Sequence, residues 1–397
     1  MNRFVVGFPS MRWCQCSAFV LGVPLACLFF IASPLVAQAL PNPGIARGED
    51  RIVVIPSSEA TGGKFLIEKT GHGGELSRTV ESCEVVIRAD EYLRFCVLSE
   101  FKTTEQAAKV RSVGQIEEIY VGSSTSPSIE VLAALLKAIE VRQLEFGMTK
   151  EFSDAHLGVL KQAKRITTLC LFGLEEISGQ GIEALAAVSG LEKVRISGCR
   201  RLGDEACKIL SQFKELRDLD FHSQTVTAKC LEYLGACSAL ESLAISGPKD
   251  LANGVGFLSS CAKLKALEVS CKNLDETGVS ALGQLVGLTK ISLTYVHTLS
   301  AEAMKSWSTL KNLQVLVLEQ CSVLDTKCLT TIAALSGLVS ITFRDCRDLD
   351  DKGLACLASC KSLGQLAIYN CKSVSKSAVN ELQKSCPELD VVFWSDR

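Results

Sequence analysis

The chain has 397 residues with 42 Lys+Arg against 44 Asp+Glu, a formal net charge of −2. That balance removes the electrostatic case for nucleic acid, because neutralising a phosphate backbone takes a clustered basic surplus. Hydrophobic residues make up 47% and charged ones 22%, which excludes a disordered tail, and 19 cysteines are too dilute for a disulfide scaffold.

At the N-terminus Arg3 and Arg12 lead into an apolar stretch over residues 18–37 that contains Phe19, Leu25, Phe29 and Ile31. It ends in Val36-Ala37-Gln38-Ala39, an A-x-A cleavage pattern, followed by Leu40-Pro41-Asn42-Pro43, which cannot continue a helix. Residues 1–39 therefore read as a secretory signal peptide cut after Ala39. The competing reading, a retained anchor of about 20 residues, is interrupted by Pro24 and Pro34, and a lipid attachment at Cys27 meets Pro24 where an aliphatic residue belongs. No later run reaches the ~18 apolar residues of a membrane span, so the remainder is expected on the far side of a membrane.

Residues 40–112 form an irregular segment. Stretches rich in Gly, Ser, Thr and charge surround short strands expected at 52–55, 65–68 and 83–87, and residues 93–98 with a helix over 105–111 make one degenerate unit. Its expected task is to cover the open edge of the sheet that follows.

From residue 113 the chain repeats itself. An aliphatic anchor recurs as Ile116, Val141, Ile166, Leu191, Leu216, Leu240, Leu264, Leu288, Leu313, Leu338, Leu363 and Leu389, at intervals of 24 to 26 residues. Such a ruler belongs to a stack of equal supersecondary units. Apolar residues stand three and five positions after each anchor, as in Leu313-x-x-Leu316-x-Leu318, which puts two side chains on one face of a strand. An apolar pair three apart follows (Ile182 and Leu185, Leu354 and Leu357), the spacing of a helix. Four residues before each pair comes a capping column: Ser128, Ser153, Ser178, Gly203, Thr227, Leu251, Asp275, Ser300, Asp325, Asp350 and Ser375. The unit around Leu240 departs from the pattern, with Pro248 eight places after the anchor and Leu251 at the cap.

Cys199, Cys321, Cys346 and Cys371 lie eight residues after their anchors, giving L-x-x-L-x-L-x-x-C strands, a Thr/Ser-Asp turn and a short helix. These residues resemble the cysteine-containing subfamily of leucine-rich repeats, with the unit from Val339 through Cys346 to Leu354 matching most fully. The resemblance implies an α/β solenoid (horseshoe) of about eleven units plus a closing strand over residues 113–397, with a curved parallel β-sheet on the concave face and short helices outside. It also implies the repeat half of F-box proteins, and hence an intracellular substrate adaptor of a ubiquitin ligase as the alternative function. No F-box segment is evident before the repeats.

No catalytic motif stands out. Gly62-Gly63-Lys64 lacks the earlier glycine and the Ser/Thr of a phosphate loop, and Asp348, Asp350 and Asp351 imitate a calcium loop without its closing Glu. The four histidines, His72, His156, His222 and His297, fall in different units. The chain is accordingly expected to be non-enzymatic, without cofactor or metal. The cysteine columns read as small buried core residues with mostly free thiols, and Cys170, on the outward face of its strand, as the most reactive.

Residues two, four and six after each anchor point away from the core, into the concave face where a protein partner would bind. In order they include Thr168, Cys170 and Phe172; Lys193, Arg195 and Ser197; Asp218, Asp220 and His222; then Arg344 and Tyr369, with a floor of Ser242, Ala244, Ser246, Ala266 and Ser270. In-register strands would set Lys193 beside Asp218 and Arg195 beside Asp220. Phe172 and Tyr369 are the aromatic anchor candidates. The reading is an exported binding protein.

Overall fold

The computed structural model describes residues 51–395 apart from 62, 70–77, 81–82, 88–90, 99–100, 115, 123–125, 150, 164, 189, 248, 272–273, 298 and 323. The signal peptide assigned to residues 1–39, and Pro248, lie outside the described residues.

In chain order the strands are β1 (Arg51–Ile55), β2 (Gly63–Lys69), β3 (Arg78–Val80), β4 (Cys83–Ile87), β5 (Glu91–Val97), β6 (Glu118–Gly122), β7 (Gln143–Gly147), β8 (Thr168–Phe172), β9 (Lys193–Ser197), β10 (Asp218–His222), β11 (Ser242–Ser246), β12 (Ala266–Ser270), β13 (Lys290–Thr294), β14 (Val315–Glu319), β15 (Ser340–Arg344), β16 (Gln365–Tyr369) and β17 (Asp390–Trp394). From β5 to β17 each strand pairs in parallel with the next, and β2 and then β3 extend the sheet antiparallel at its N-terminal edge, so that fifteen strands form one open ladder among the described residues. β1 and β4 pair apart from it. The sheet does not close. The fold is that of a leucine-rich-repeat solenoid.

Periodicity explains the layers. In Lys193–Ser197 the burial alternates, with Val194 and Ile196 sealed and the other three open to varying degree, and the same alternation recurs at Leu219 and Phe221, Leu243 and Ile245, Leu316 and Leu318. Helices cover the buried face and pack on the helix of the adjoining unit. Their starts fall where the capping column places them: Ser128, Ser153, Ser178, Gly203, Thr227, Asp275, Asp325, Asp350 and Ser375 are all N-caps. Ser300 is followed by a turn, and its hydroxyl accepts from the Ala303 N–H (3.2 Å) at the start of a 3-10 helix, Ala303–Thr309. The unit after Leu240 is irregular as expected: a 3-10 helix, Lys249–Ser260, replaces cap and α-helix together.

Acidic residues at the first helical position tie neighbouring units. Asp154 accepts from the Ser178 N–H (2.7 Å) and hydroxyl (2.6 Å), Asp204 does the same for Thr227, and Asp351 accepts from the Ser375 N–H. Asp350 accepts from the Gly353 N–H (2.8 Å), so of the aspartates that imitate a calcium loop Asp350 is a helix cap and Asp351 ties the next unit. Gly63 and Lys64, likewise, begin strand β2.

The two unit lengths have one cause. Seven positions after the anchor, the 25-residue units carry a residue in the left-handed region: Met148 (φ 53), Gly173 (61), Gly198 (71), Tyr295 (63), Gln320 (50), Asp345 (51) and Asn370 (52). Met148, Gly173, Tyr295, Gln320, Asp345 and Asn370 donate their N–H to the last carbonyl of the next strand, as Met148 does to Phe172 and Gln320 to Arg344. The three 24-residue units, those of Leu216, Leu240 and Leu264, omit this residue, which moves the following column one place closer. Gly247, not Pro248, therefore stands in the cysteine column, where a Cβ would lie 2.4 Å from Val226 Cγ2. Cys271 joins the same column.

In that column the thiols occupy sealed sites, and three donate to carbonyls of the preceding unit: Cys199 to Leu171 (3.6 Å), Cys321 to Leu293 (3.4 Å) and Cys346 to Leu318 (3.3 Å). Small size and a weak donor are what the position demands. Thirteen described cysteines are free, and Cys207 and Cys230, buried on adjacent helices, form a disulfide.

At the C-terminal end the register pairs Gln365 with Asp390, so Glu388 rather than Leu389 is the twelfth anchor equivalent. A slip of one residue exchanges the two faces of a strand. Val391 and Phe393 consequently pack toward the core, and Asp390, Val392 and Trp394 lie on the inner face.

Candidate interaction face

The inner face is the side of the sheet opposite the helices, three positions per strand. In register, Lys193 pairs with Asp218 (2.5 Å), as the spacing requires. Arg195 lies opposite Asp220, but Asp220 turns to His222 instead (2.6 Å), and Arg195 forms no ion pair among the described residues. The face therefore carries an exposed guanidinium at its centre.

His222 is held on both sides. Its second ring nitrogen, Nδ1, is 2.7 Å from the Ser246 hydroxyl on the next strand. Burial opposes the imidazolium, yet the Asp220 hydrogen bond and charge, with Glu268 behind them, outweigh it and hold the His222 pKa above its ordinary value. Asp220, His222 and Ser246 thus line up as acid, imidazole and hydroxyl, an order absent from any single repeat because Ser246 belongs to the neighbouring unit. The adjoining backbone donor is committed, the Gly247 N–H bonding to Ser270 (3.3 Å), so the row offers no oxyanion site there. Glu268, two strands away and half-buried, has its carboxyl pushed up by desolvation, partly offset by Lys290.

Phe172 and Tyr369 are half-buried. The Arg344 guanidinium sits 5.4 Å from the Tyr369 ring centroid and 3.5 Å from Glu319, which fixes the aromatic side chain from one side. Cys170 corrects the sequence expectation. It lies on the inner face in register between Glu145 and Arg195, but it is only 3% exposed, and burial pushes its thiol up to about 12. The longer side chains beside it close over the small sulfur, so the outward position gives no reactive thiol.

Two parts of the face were hidden in the sequence. The first is an ion cluster at its N-terminal third. Arg94 on β5 reaches Glu68 (3.1 Å), Glu118 (2.8 Å) and Glu145 (2.8 Å), three strands' carboxylates around one guanidinium, and lies over the Tyr120 ring. The Tyr92 hydroxyl donates to Glu68 (2.8 Å) and the Gln143 amide to Glu118 (2.9 Å). Desolvation raises the Glu118 carboxyl to about 7; Arg94 opposes this, and Glu145 and Glu68 add to it. The second is Trp394, 52% exposed beside Val392, which the one-residue slip had turned inward.

Among the described residues no group of three or more His, Cys, Asp or Glu is placed to hold a metal ion, and no helix is long and apolar enough to cross a membrane.

No family model matches the chain, and no curated protein matches it. Solved structures do. An internalin from Listeria monocytogenes aligns over 74% of this chain and 90% of its own at 14% identity, with a TM-score of 0.49. A leucine-rich-repeat protein from Leptospira interrogans aligns over 74% and 93% at 12% identity, with a TM-score of 0.38. The repeat period and the strand register carry the fold assignment independently of these likenesses.

Proposed function

We propose that the chain is an exported, non-enzymatic binding protein whose inner sheet face docks another protein. In this reading residues 1–39 are the signal peptide, residues 40–112 close the first edge, and residues 113–397 are repeats of the cysteine-containing kind that carry the recognition face. One observation supports it above the rest. The inner face joins a floor of small residues, Ser242, Ala244, Ser246 and Ala266, to an exposed unpaired Arg195, with half-buried Phe172 on one side and Tyr369 on the other. Aromatic and arginine side chains beside a shallow floor are the contact types that anchor protein interfaces. The Cys207–Cys230 bridge supports an oxidising compartment.

The thirteen free thiols favour a second reading, an intracellular adaptor of the F-box kind, because reducing compartments keep thiols free. Sequencing the N-terminus of the protein recovered from its native source separates the two: Leu40 as first residue supports export, and retained Met1 in the cytosol supports the adaptor. For the face itself, a partner captured by the native chain is titrated against Lys193→Glu, Arg195→Glu, Asp220→Lys, Phe172→Ala and Tyr369→Ala. Loss of affinity supports docking there, and unchanged affinity in every variant rejects it.

A further inference from the structure

The turns that leave β15 and β16 are tied to each other. Arg344 and Tyr369, the last residues of the two strands, pair in register. One residue on, the Asp345 N–H donates to the Tyr369 carbonyl (2.9 Å), and the Asn370 amide donates to the Asp345 carboxylate. Cys346 and Cys371 come next, both sealed from solvent and both free thiols. Each sulfur lies against the last carbonyl of its own strand, Cys346 Sγ 3.4 Å from Arg344 and Cys371 Sγ 3.5 Å from Tyr369, so the two side chains leave their turns in the same direction. Neighbouring rungs of a sheet are about 4.8 Å apart, within the roughly 4.4–6.8 Å that separates the Cα atoms of bonded cysteines. Cys207 and Cys230, equally sealed, already bond across adjoining units at a Cα separation of 5.3 Å.

We infer that Cys346 and Cys371 are a reversible redox pair, which a disulfide-bearing oxidant converts from two thiols into a second bridge between units. The surroundings set the order of attack. A Cys371 thiolate is met by the S–H and the N–H of Cys346, which hold the Cys371 thiol below its ordinary value against the opposing effect of burial. Cys346 is pushed up by that same donation and by burial, so it keeps its proton. Cys321, one unit earlier, approaches Cys346 through its backbone N–H instead of its thiol, so the last two cysteines of the column are the pair. Both sulfurs are reached when the last units open locally. Cys371, its proton given to water, bonds one sulfur of the oxidant, whose S–S bond breaks and releases a thiolate. That thiolate takes the Cys346 proton, and Cys346 bonds Cys371 Sγ, expelling the second thiolate, which is protonated from water. Two thiols are oxidised and one disulfide is reduced. The bridge clamps the turns that follow Arg344 and Tyr369, and its formation does not depend on what docks on the inner face.

The test equilibrates the full native chain with reduced and oxidised glutathione at graded ratios, in urea below the unfolding transition so that the oxidant enters. Samples are quenched with acid, alkylated and digested with trypsin. Cleavage after Arg344, Arg347, Lys361 and Lys372 leaves Cys346 in residues 345–347 and Cys371 in residues 362–372, each without another cysteine. As the oxidised fraction rises, both thiols are expected to be lost together and the two peptides to appear joined, with Cys321 still alkylated and dithiothreitol restoring both thiols. In Cys346→Ser, glutathione is expected to remain on Cys371, and in Cys371→Ser, Cys346 is expected to remain a thiol. Alkylation of both cysteines at every ratio overturns the inference, as does a bridge from Cys346 to Cys321. Uptake of glutathione by Cys346 in Cys371→Ser, with native circular dichroism, overturns the order of attack.

Discussion

Arg94 and Glu118 face each other across one rung of the sheet, Nη2 2.8 Å from the carboxylate, at a place where Glu118 is only 3% exposed. The guanidinium is shared with Glu68 and Glu145, so the cluster holds more carboxylate than cation in a poorly solvated site. Burial therefore prevails, and Glu118 titrates at about 7. Unfolded, it titrates near 4.3. Between those values the folded chain keeps a proton that the unfolded chain has released, so this group's contribution falls as pH rises through the window and is level above it. Glu118→Gln removes that slope. Urea unfolding is expected to find the variant close to wild type at pH 5 and more stable by up to about 3 kcal/mol at pH 8.

Removing the cation has the opposite effect. Arg94→Met leaves three carboxylates, two of them nearly sealed, without their shared partner, and a buried charge stripped of its partner costs on the order of 3–5 kcal/mol. The loss is expected to be largest above pH 7, where Glu118 is ionised, and to shrink toward pH 5; a pH-independent loss contradicts the cluster as described.

At the centre of the face the Asp220 carboxylate, 2.6 Å from Nε2, is what keeps the His222 pKa raised. Asp220→Asn removes that attraction and leaves desolvation in charge, so the imidazole pKa is expected to fall below the ordinary 6.5. In the native chain the raised value adds stability below the unfolded pKa that is lost as pH rises through the folded one. Proton chemical shifts of the imidazole across a pH titration measure both.

The thiols sort by burial. In the folded chain Cys356 is expected to alkylate before Cys170, whose thiol is both sealed and pushed up to about 12. After denaturation without reductant, mass analysis is expected to find Cys207 and Cys230 linked and the thirteen described free cysteines modified.

The left-handed column gives a test in both directions. Gly173 (φ 61) has space for a methyl group beside Met148, so Gly173→Ala costs only the backbone term, about 1–2 kcal/mol. Met148, at φ 53 and 71% exposed, buries little in return for its strain. Met148→Gly is expected to leave stability unchanged or raise it by up to about 1 kcal/mol in thermal unfolding.

Much of this architecture was legible because a repeat writes the same physics a dozen times. Strand faces, helix starts and the Lys193–Asp218 pair follow from spacing alone, since parallel neighbours in register align equal positions of successive units. The misreadings came where the count changed by one. The 24-residue units moved the cysteine column to Gly247, and the anchor at Leu389 hid Trp394, because nothing local marks an omitted left-handed residue or a one-place slip. Arg94 was missed for another reason: its three carboxylates, Glu68, Glu118 and Glu145, come from three strands, one of them antiparallel and outside the repeat. Cys170 failed because facing outward says nothing of how far its neighbours reach.

Hydroxyl-radical footprinting of the chain with its captured partner tests docking on the inner face most directly. Phe172, Tyr369 and Trp394 are expected to be protected in the complex, while Phe257, 47% exposed on the outer helix, oxidises as it does in the free chain. Protection of Phe257 with those three aromatic residues unchanged would contradict it.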